Sequence, residues 1–317
     1  RENEIPLSKV YGAPWEYVTI KRKKGKTLYN ITAKFDYDNK PDNYDKFGLT
    51  IPLNKDGHVL AFSFYDIPVK RIDTYFFNSF PKLMMIDAYK IKTPVLDLKG
   101  LKYLEYASFN GSRIKKIENL RNLPALEEID LSYNNILKLE NISGLPKLKK
   151  LDLSMNDYIE KIEGLDTLSS LEYLDFRNGK RKGRIKKIEG LSNLKNLKDL
   201  TFVDQPISKI EGLDNLSSLK SLSIIRTKIK KIEGFDNLVN LESLSLSDLN
   251  GFEDNNLEIK MSGLENLKKL ESLFLAHNSI KNISGLSGLH NLLRIDLSDN
   301  SIEDFSGLNE AVNLEKV

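Results

Sequence analysis

Apolar residues recur along most of the chain in one pattern, L-x-x-L-x-L-x-x-N-x-I followed by x-x-I-x-G-L-x-x-L. The segments LEEIDLSYNNI and LKKLDLSMNDYI, which start at Leu126 and Leu148, show the first part most clearly. Copies begin at Leu104, Leu126, Leu148, Leu171, Leu197, Leu219, Leu241, Leu270, Leu292 and Leu314, and degenerate copies begin at Val59 and Leu83. Most steps are 22 residues, and a register held through so many copies indicates a repeat architecture.

Each copy predicts one short β-strand, because its last two apolar residues lie two positions apart. Ile129 and Leu131 then face one side, and Glu128, Asp130 and Ser132 face the other. One repeat cannot bury its own apolar face, whereas stacked repeats share a continuous interior. Every copy runs in the same direction, so we expect parallel strands about 4.8 Å apart. The bulkier return segments lie outside, which places the strands on a concave face.

This repeat resembles the leucine-rich repeat family, over about residues 57–317. Returns such as IEGLDNLSSL, from Ile210 to Leu219, are most similar to the SDS22-like class of 22-residue repeats. The resemblance implies an α/β leucine-rich-repeat solenoid, with a parallel β-sheet on the concave face and short helical or 3-10 return segments. It also implies a regulatory or adaptor role.

The resemblance further implies a ladder of asparagine side chains bonded to neighbouring backbones. The ladder position is occupied by Asn134, Asn156, Asn278 and Asn300. In the middle of the array it is occupied instead by Gly179, Gln205, Thr227 and Leu249. We therefore expect less regular geometry in the middle repeats.

Residues 1–56 do not follow the repeat. The segment WEYVTIKRKKGKTLYNITAKFDYD predicts a hairpin, with alternating apolar residues from Tyr29 to Tyr37 and a turn at Lys24-Gly25. Because an open solenoid end exposes its core, we predict an N-terminal β-hairpin cap over 1–56 and a leucine-rich repeat array over 57–317. A small separate binding domain is the alternative for 1–56. The chain stops at NLEKV inside a new strand, so we expect further protein or a partner to cover that end.

The overall charge and cysteine content narrow the class of protein. The 48 basic and 45 acidic residues leave a net charge of only +3, so no strong field draws the chain to nucleic acid or a membrane. No apolar run is long enough to span a bilayer. The absence of cysteine rules out disulfides and thiolate metal sites. We expect a cytoplasmic monomer; because the first residue is Arg1, a removed signal peptide remains open.

We predict no enzymatic activity, no cofactor and no metal site. The three histidines, His58, His277 and His290, have no evident nucleophile or ligand at a useful spacing. P-loop, G-x-S-x-G and H-E-x-x-H motifs are absent from the sequence. A hydrolase with paired carboxylates is the enzymatic alternative, and no spacing selects such a pair.

Two insertions, at 178–184 and 249–259, lengthen the repeats. The first lies within RNGKRKGRIKKIEGL, from Arg177 to Leu191, and we predict a loop at one rim. Its residues Arg177, Lys180, Arg181, Lys182 and Arg184 have no acid nearby in the sequence. A plain loop, a protein contact and an anion site are the alternatives. No aromatic residue is interleaved for base stacking, so we do not expect nucleic acid.

Lysine and glutamate recur in the returns, as in IKKIEG at 185–190 and 229–234. Stacked repeats turn these positions into two parallel rows of opposite charge, which offset each other's repulsion. We interpret the rows as a solvated flank.

Function in a solenoid lies on the outward strand residues, since the inward ones form the core. In the C-terminal half these residues are mostly serines until Phe274. The N-terminal half carries rings and charges, which are typical of binding hot spots. Its predicted partner-binding residues are Met85, Asp87, Tyr89, Tyr106, Glu128, Asp130, Lys150, Asp152, Tyr173, Asp175 and Arg177.

We predict that Tyr106 and Tyr173 anchor a basic protein partner of unknown identity and that Asp130 and Asp152 steer it. A generic solvated strand surface is the alternative, because the L-D-L-S motif is common in such repeats. The sequence thus favours a protein–protein interaction scaffold or adaptor. An internalin-like cell-surface adhesin and the recognition domain of a larger multidomain protein are the other hypotheses.

Overall fold

The strand of each repeat forms where its apolar residues alternate. A computed structural model describes residues 3–5, 15–21, 28–35, 51–52, 61–65, 80, 82–179, 182–249, 251, 260–261, 263–283, 286, 288–311 and 313–315. In chain order the strands are β1 Asn3–Ile5, β2 Trp15–Lys21, β3 Leu28–Phe35, β4 Ile51–Pro52, β5 Ala61–Tyr65, β6 Met85–Tyr89, β7 Val95–Asp97, β8 Tyr106–Ser108, β9 Lys116–Arg121, β10 Glu128–Asp130, β11 Ile142–Ser143, β12 Lys150–Asp152, β13 Tyr173–Asp175, β14 Asp199–Val203, β15 Ser221–Ile225, β16 Lys231–Ile232, β17 Ser243–Ser245, β18 Lys260–Met261, β19 Ser272–Phe274 and β20 Arg294–Asp296. The strands fall into two compact units.

The first unit comprises residues 1–136 and 140–148. Strands β1 to β4 form an antiparallel sheet in that order, and β2 pairs with β3 as the predicted hairpin requires. The turn at Lys24-Gly25 lies outside the described residues. Strands β5, β6, β8 and β10 pair in parallel, and β7, β9 and β11 form a second parallel sheet in the returns. The domain boundary at 56/57 stays a prediction.

The second unit comprises residues 137–139 and 149–317. Strands β12, β13, β14, β15, β17, β19 and β20 pair in parallel, each with the next. Strands β16 and β18 pair in parallel in the returns. The predicted parallel pairing of consecutive repeats is therefore confirmed within each unit.

The predicted division of inward and outward residues is confirmed in the core. Ile129 and Leu131 are fully buried, as are most leucines and isoleucines of the repeat. Phe176 and Phe202, which follow one another across two repeats, stack with ring centroids 5.5 Å apart. The apolar residues of successive copies thus form the interior of a leucine-rich-repeat solenoid in each unit.

The returns turn mainly through hydrogen bonds three residues apart, such as those from the Leu168 amide to the Leu165 carbonyl and from the Leu171 amide to the Leu168 carbonyl. Within the described residues one 3-10 helix is present, Ser306–Glu310. Gly190 has φ of +69°, and a Cβ there would lie 2.3 Å from the carbonyl oxygen of Ile162. The glycine of the I-x-G-L signature therefore lets adjacent returns pack backbone against backbone.

The ladder position keeps its function where glutamine replaces asparagine, so the expected irregularity is wrong at Gln205. Asn134 accepts from the Ile114 amide at 2.9 Å and donates to the Phe109 carbonyl at 2.9 Å. Gln205 accepts from the Ile185 amide at 3.0 Å and donates to the Phe176 carbonyl at 2.8 Å. Thr227 does not make these contacts with the preceding repeat, because its hydroxyl donates to the Leu249 carbonyl of the following repeat at 3.1 Å. A side-chain amide that both donates and accepts can therefore satisfy these buried backbone groups, whether it belongs to asparagine or to glutamine.

Candidate functional site

The outward residues of β6, β8 and β10 form a regular grid, which we name the first-unit face. Parallel pairing places Met85, Tyr106 and Glu128 in one row. Asp87, Ser108 and Asp130 form the next row. Adjacent strands are about 4.8 Å apart, so each row places its outer members about 10 Å from one another. These six residues lie within reach of one small partner surface. All of them except Ser108 belong to the predicted partner-binding set.

Tyr106 lies at the centre of the first-unit face and is half-buried. Burial raises the pKa of its phenol, and the carboxylates of Asp87, Glu128 and Asp130 raise the pKa further, while a hydrogen bond with Ser108 opposes them. The phenol of Tyr106 is therefore uncharged and lies among acidic groups. A basic side chain approaching Tyr106 would meet both an aromatic surface and a negative potential.

Met85 and Tyr89 are the exposed apolar members of the first-unit face, with 37% and 36% of their surfaces accessible. The ammonium group of Lys90 lies 4.7 Å from the ring centroid of Tyr89. Large apolar groups at the surface of a folded chain are informative when they cluster, because water solvates them poorly. Met85 and Tyr106 occupy paired positions on adjacent strands, so these two side chains are neighbours on the face.

On the second unit, Lys150, Tyr173, Asp175 and Arg177 form a second cluster. The hydroxyl of Tyr173 donates to Asp175 Oδ2 at 2.9 Å, and Arg177 Nε donates to the same oxygen at 2.6 Å. The backbone amide of Arg177 donates to Asp175 Oδ1 at 2.7 Å. Lys150 places its ammonium group 5.6 Å from the centroid of the Tyr173 ring. The polar groups of this cluster bind one another.

Two predictions about this second cluster are wrong. Asp175 was expected to face a partner, but only 1% of its side chain is exposed because Tyr173 and Arg177 cover it from both sides. Arg177 was expected to have no acid nearby, yet it pairs with Asp175. All three residues lie two positions apart on one strand face, and that spacing was a signal available in the sequence. Burial raises the pKa of the Tyr173 phenol, and Asp175 raises it further.

The aspartates of the L-D-L-S motif have a structural role. Asp130, Asp152 and Asp296 each accept a hydrogen bond from the backbone amide two residues on, at 2.8, 2.9 and 3.0 Å. The carboxylate thereby closes the turn that ends the strand. This finding supports the alternative that these acids belong to the repeat consensus, and it leaves the aromatic and apolar residues as the stronger signal for binding.

The ladder of charges on the second unit's rim was missed. Arg226 Nη1 donates to Asp204 Oδ1 at 3.2 Å, and its Nε donates to Asp248 Oδ2 at 2.9 Å. These three residues hold the same repeat position, next to the asparagine-ladder position. Charges of alternating sign spaced 22 residues apart were the signal that could have revealed them.

The basic insertion is held by contacts on its C-terminal side. Arg184 pairs with Glu160 at 3.1 Å, so the expectation that Arg184 has no acidic partner is wrong. Its guanidinium also lies 5.0 Å from the centroid of the Tyr158 ring. Lys180 and Arg181, and most of the insertion at 249–259, lie outside the described residues.

Comparison with known proteins identifies the repeat. A family model described as "Leucine Rich repeats (2 copies)" matches residues 124–167 and 268–310. The chain contains leucine-rich repeats. Comparison with curated proteins found no match. The assignment to the 22-residue SDS22-like class stays a prediction.

Solved structures similar to this chain include three from Listeria monocytogenes. An internalin (inlF) is 23% identical with a TM-score of 0.51, over 81% of this chain and 85% of that chain. The functional domain of InlJ is 18% identical with a TM-score of 0.59, over 78% of this chain and 55% of that chain. An internalin C2 (inlC2) is 25% identical with a TM-score of 0.50, over 70% of this chain and 84% of that chain. These likenesses support the solenoid fold.

Leucine-rich repeat solenoids of this kind are generally non-enzymatic interaction proteins. Among the described residues no group of three or more acidic or histidine side chains is arranged to hold a metal ion. In the same part of the chain no helix has the length and apolar character needed to cross a membrane.

Proposed function

We propose that the protein is a non-enzymatic interaction scaffold that binds a protein partner on the first-unit face, with Tyr106 as the anchor. One observation carries the proposal: Tyr106 lies beside exposed Met85, within a ring of three carboxylates. Tyrosine supplies a large contact area at a low cost in conformational entropy, and such rings dominate binding energy in protein interfaces. A partner with basic and apolar side chains matches this surface.

On the second unit, Lys150, Asp152, Tyr173 and Arg177 are proposed as secondary contacts. Tyr173 and Arg177 already satisfy each other through Asp175, so a partner gains less by contacting them. Asp175 is left out of the contact set because it is buried. We accordingly place the larger share of the binding energy on the first-unit face.

The test uses the full chain as bait in native lysate, followed by calorimetry with each purified captured protein. The double variant Met85→Ala/Tyr106→Ala should lose the specific partner. The matched control, Ser243→Ala/Ser245→Ala, changes two outward residues on the second unit and should retain the partner. A partner that binds both variants equally would remove the first-unit face from consideration.

A cell-surface adhesin of the internalin type is the second candidate, and the likeness to three Listeria internalins favours it. The two candidates differ in location, since a scaffold or adaptor is proposed for the cytoplasm. Surface labelling of cells that express the full-length gene product separates them. Labelled protein at the cell surface would support the adhesin, whether the repeats form the whole protein or the recognition part of a larger one.

A further inference from the structure

A groove opens between the returns that follow β12, β13 and β14 on the second unit. Its volume is about 600 Å³, within the range of small-ligand sites. The lining residues are Glu160, Lys161, Gly183, Arg184, Lys186, Lys187, Glu189 and Pro206. Four are cationic and two are acidic, so the lining has an excess of two positive charges.

The floor of this groove is fixed by the base of the basic insertion. The amide of Gly183 donates to the Asp204 carbonyl at 2.7 Å, and the amide of Ile185 donates to Gln205 Oε1 at 3.0 Å. A Cβ on Gly183 would lie 2.1 Å from Gln205 Oε1, so a larger residue would displace the Gln205 amide from its present position. The insertion therefore re-enters the repeat at one defined place and carries Arg184 with it.

Arg184 is oriented before any ligand arrives. Glu160 accepts one hydrogen bond from its Nη1, and the guanidinium lies over the Tyr158 ring, 5.0 Å from its centroid. A guanidinium has five N–H donors, and the bond to Glu160 engages only part of that set. Lys161, Lys186 and Lys187 are exposed and form no ion pair with any residue in the described part of the chain.

We propose that this groove binds a compact oligophosphate anion. Lysine ammonium groups act as strong point charges on phosphate, and a guanidinium adds directed hydrogen bonds. Such an anion would neutralise the excess positive charge that the repeats leave in the groove. The groove belongs to the second unit, and this proposal does not depend on the proposed partner.

Phosphate alone, without a nucleobase, is the chemistry that the groove favours. The lining contains no aromatic residue, and Tyr158 beside it carries the Arg184 guanidinium on its ring. Single-stranded nucleic acids gain much of their affinity from bases stacked on aromatic side chains. A short oligophosphate requires only the clustered cations.

The sequence provides a matched control for this proposal. The segment IKKIEG occurs at 185–190 beside the groove and again at 229–234 in a repeat that lacks the insertion. The double variants Lys186→Gln/Lys187→Gln and Lys230→Gln/Lys231→Gln remove the same charge from the same local sequence. Only the first pair belongs to the groove.

The experiment is calorimetric titration of the full chain with sodium tripolyphosphate at about 50 mM and about 300 mM NaCl. We expect one site, weaker at the higher salt. The Lys186→Gln/Lys187→Gln variant should weaken binding by about tenfold or more, and the Lys230→Gln/Lys231→Gln variant by less than about twofold. Thermal unfolding of both variants checks that each remains folded.

Four results would overturn the proposal. One is undetectable binding of tripolyphosphate at the lower salt, and another is an equal loss in both double variants. The third comes from a titration with a twelve-residue oligothymidylate: tighter binding than tripolyphosphate, lost in the Lys186→Gln/Lys187→Gln variant, would assign the groove to nucleic acid. Equal weak binding of both probes by all variants would show only non-specific attraction and would also contradict a built site.

Discussion

Tyr106 and Tyr173 hold the same position in their repeats, yet their surroundings differ. The hydroxyl of Tyr173 donates to Asp175, which also binds Arg177, and Lys150 lies against the ring. Tyr106 lies instead between Met85 and Glu128, with three carboxylates from the two adjacent strands around it. One tyrosine belongs to a cluster that satisfies itself, and the other belongs to a surface with exposed apolar area.

The difference follows from one residue two positions along the strand. Position 108 is a serine, which contributes no charge, whereas position 175 is an aspartate that gathers the groups on its own strand. The same repeat position is therefore proposed for binding in one unit, and it contributes to a local hydrogen-bonded cluster in the other. We infer that the residue two positions after the tyrosine, Ser108 or Asp175, determines whether the tyrosine is available to a partner.

The largest expected effect is on partner affinity. Tyr106→Ala should weaken a captured partner by about 2 kcal/mol or more, which is about thirtyfold. Tyr173→Ala should weaken it by less than about threefold, because its hydroxyl and ring are already engaged. Calorimetry with both variants checks the contrast, and a larger loss for Tyr173→Ala would reverse it.

A second prediction concerns how much Asp175 and Asp130 each contribute to the free energy of unfolding. Asp175→Ala should lower the free energy of unfolding by about 1–3 kcal/mol, because buried hydrogen-bond donors lose their acceptor. Asp130→Ala, which removes a more exposed carboxylate, should cost less than about 1 kcal/mol. Urea denaturation of both variants measures the difference, and equal losses would show that Asp175 is not the buried centre of its cluster.

The dependence of stability on alkaline pH should distinguish the same two clusters, because it reports the ionisation of their tyrosines. Both phenols have a pKa raised above the ordinary value of about 10 in the folded chain. Their contribution to stability is thus fully present below about pH 10 and is lost as the pH rises through the folded pKa. Tyr173→Phe should flatten the decline in stability between about pH 9.5 and pH 11, and Tyr106→Phe should flatten it less. Denaturation at several pH values tests this, and an unchanged slope in Tyr173→Phe would contradict it.

The smallest expected effect is on the rate of association. Asp87→Asn removes one of the carboxylates around Tyr106, so a basic partner should associate a few times more slowly at low salt. The same rate at about 300 mM NaCl should change little, because screening suppresses the steering. Stopped-flow or surface-based kinetics would show this, and a salt-independent change would point to a lost contact.

The repeat itself could be predicted, because burial follows directly from the spacing of leucine and isoleucine. Ile129, Leu131 and their equivalents are buried where the pattern placed them. Parallel pairing followed from the common direction of the copies. The exposure of polar residues could not be predicted in the same way, since it depends on which side chains on one face bind one another.

Two further cases show which contacts the repeat pattern alone does not predict. Gln205 was expected to interrupt the hydrogen-bond ladder, but its longer amide reaches the same backbone groups. The basic insertion was expected to lack acidic partners, but Glu160 of the preceding repeat lies 24 residues from Arg184 and meets it across the stack. Contacts between repeats at unequal steps require the geometry of the insertion, which the repeat pattern does not contain.

Hydrogen–deuterium exchange of the full chain, with and without a captured partner, tests the central claim most directly. The first-unit face should gain protection in segments 85–89, 106–108 and 128–130, while segment 173–177 changes little. Protection confined to 173–177, or to the serine-bearing strands at 221–225 and 243–245, would contradict the assignment of binding to Tyr106 and its neighbours.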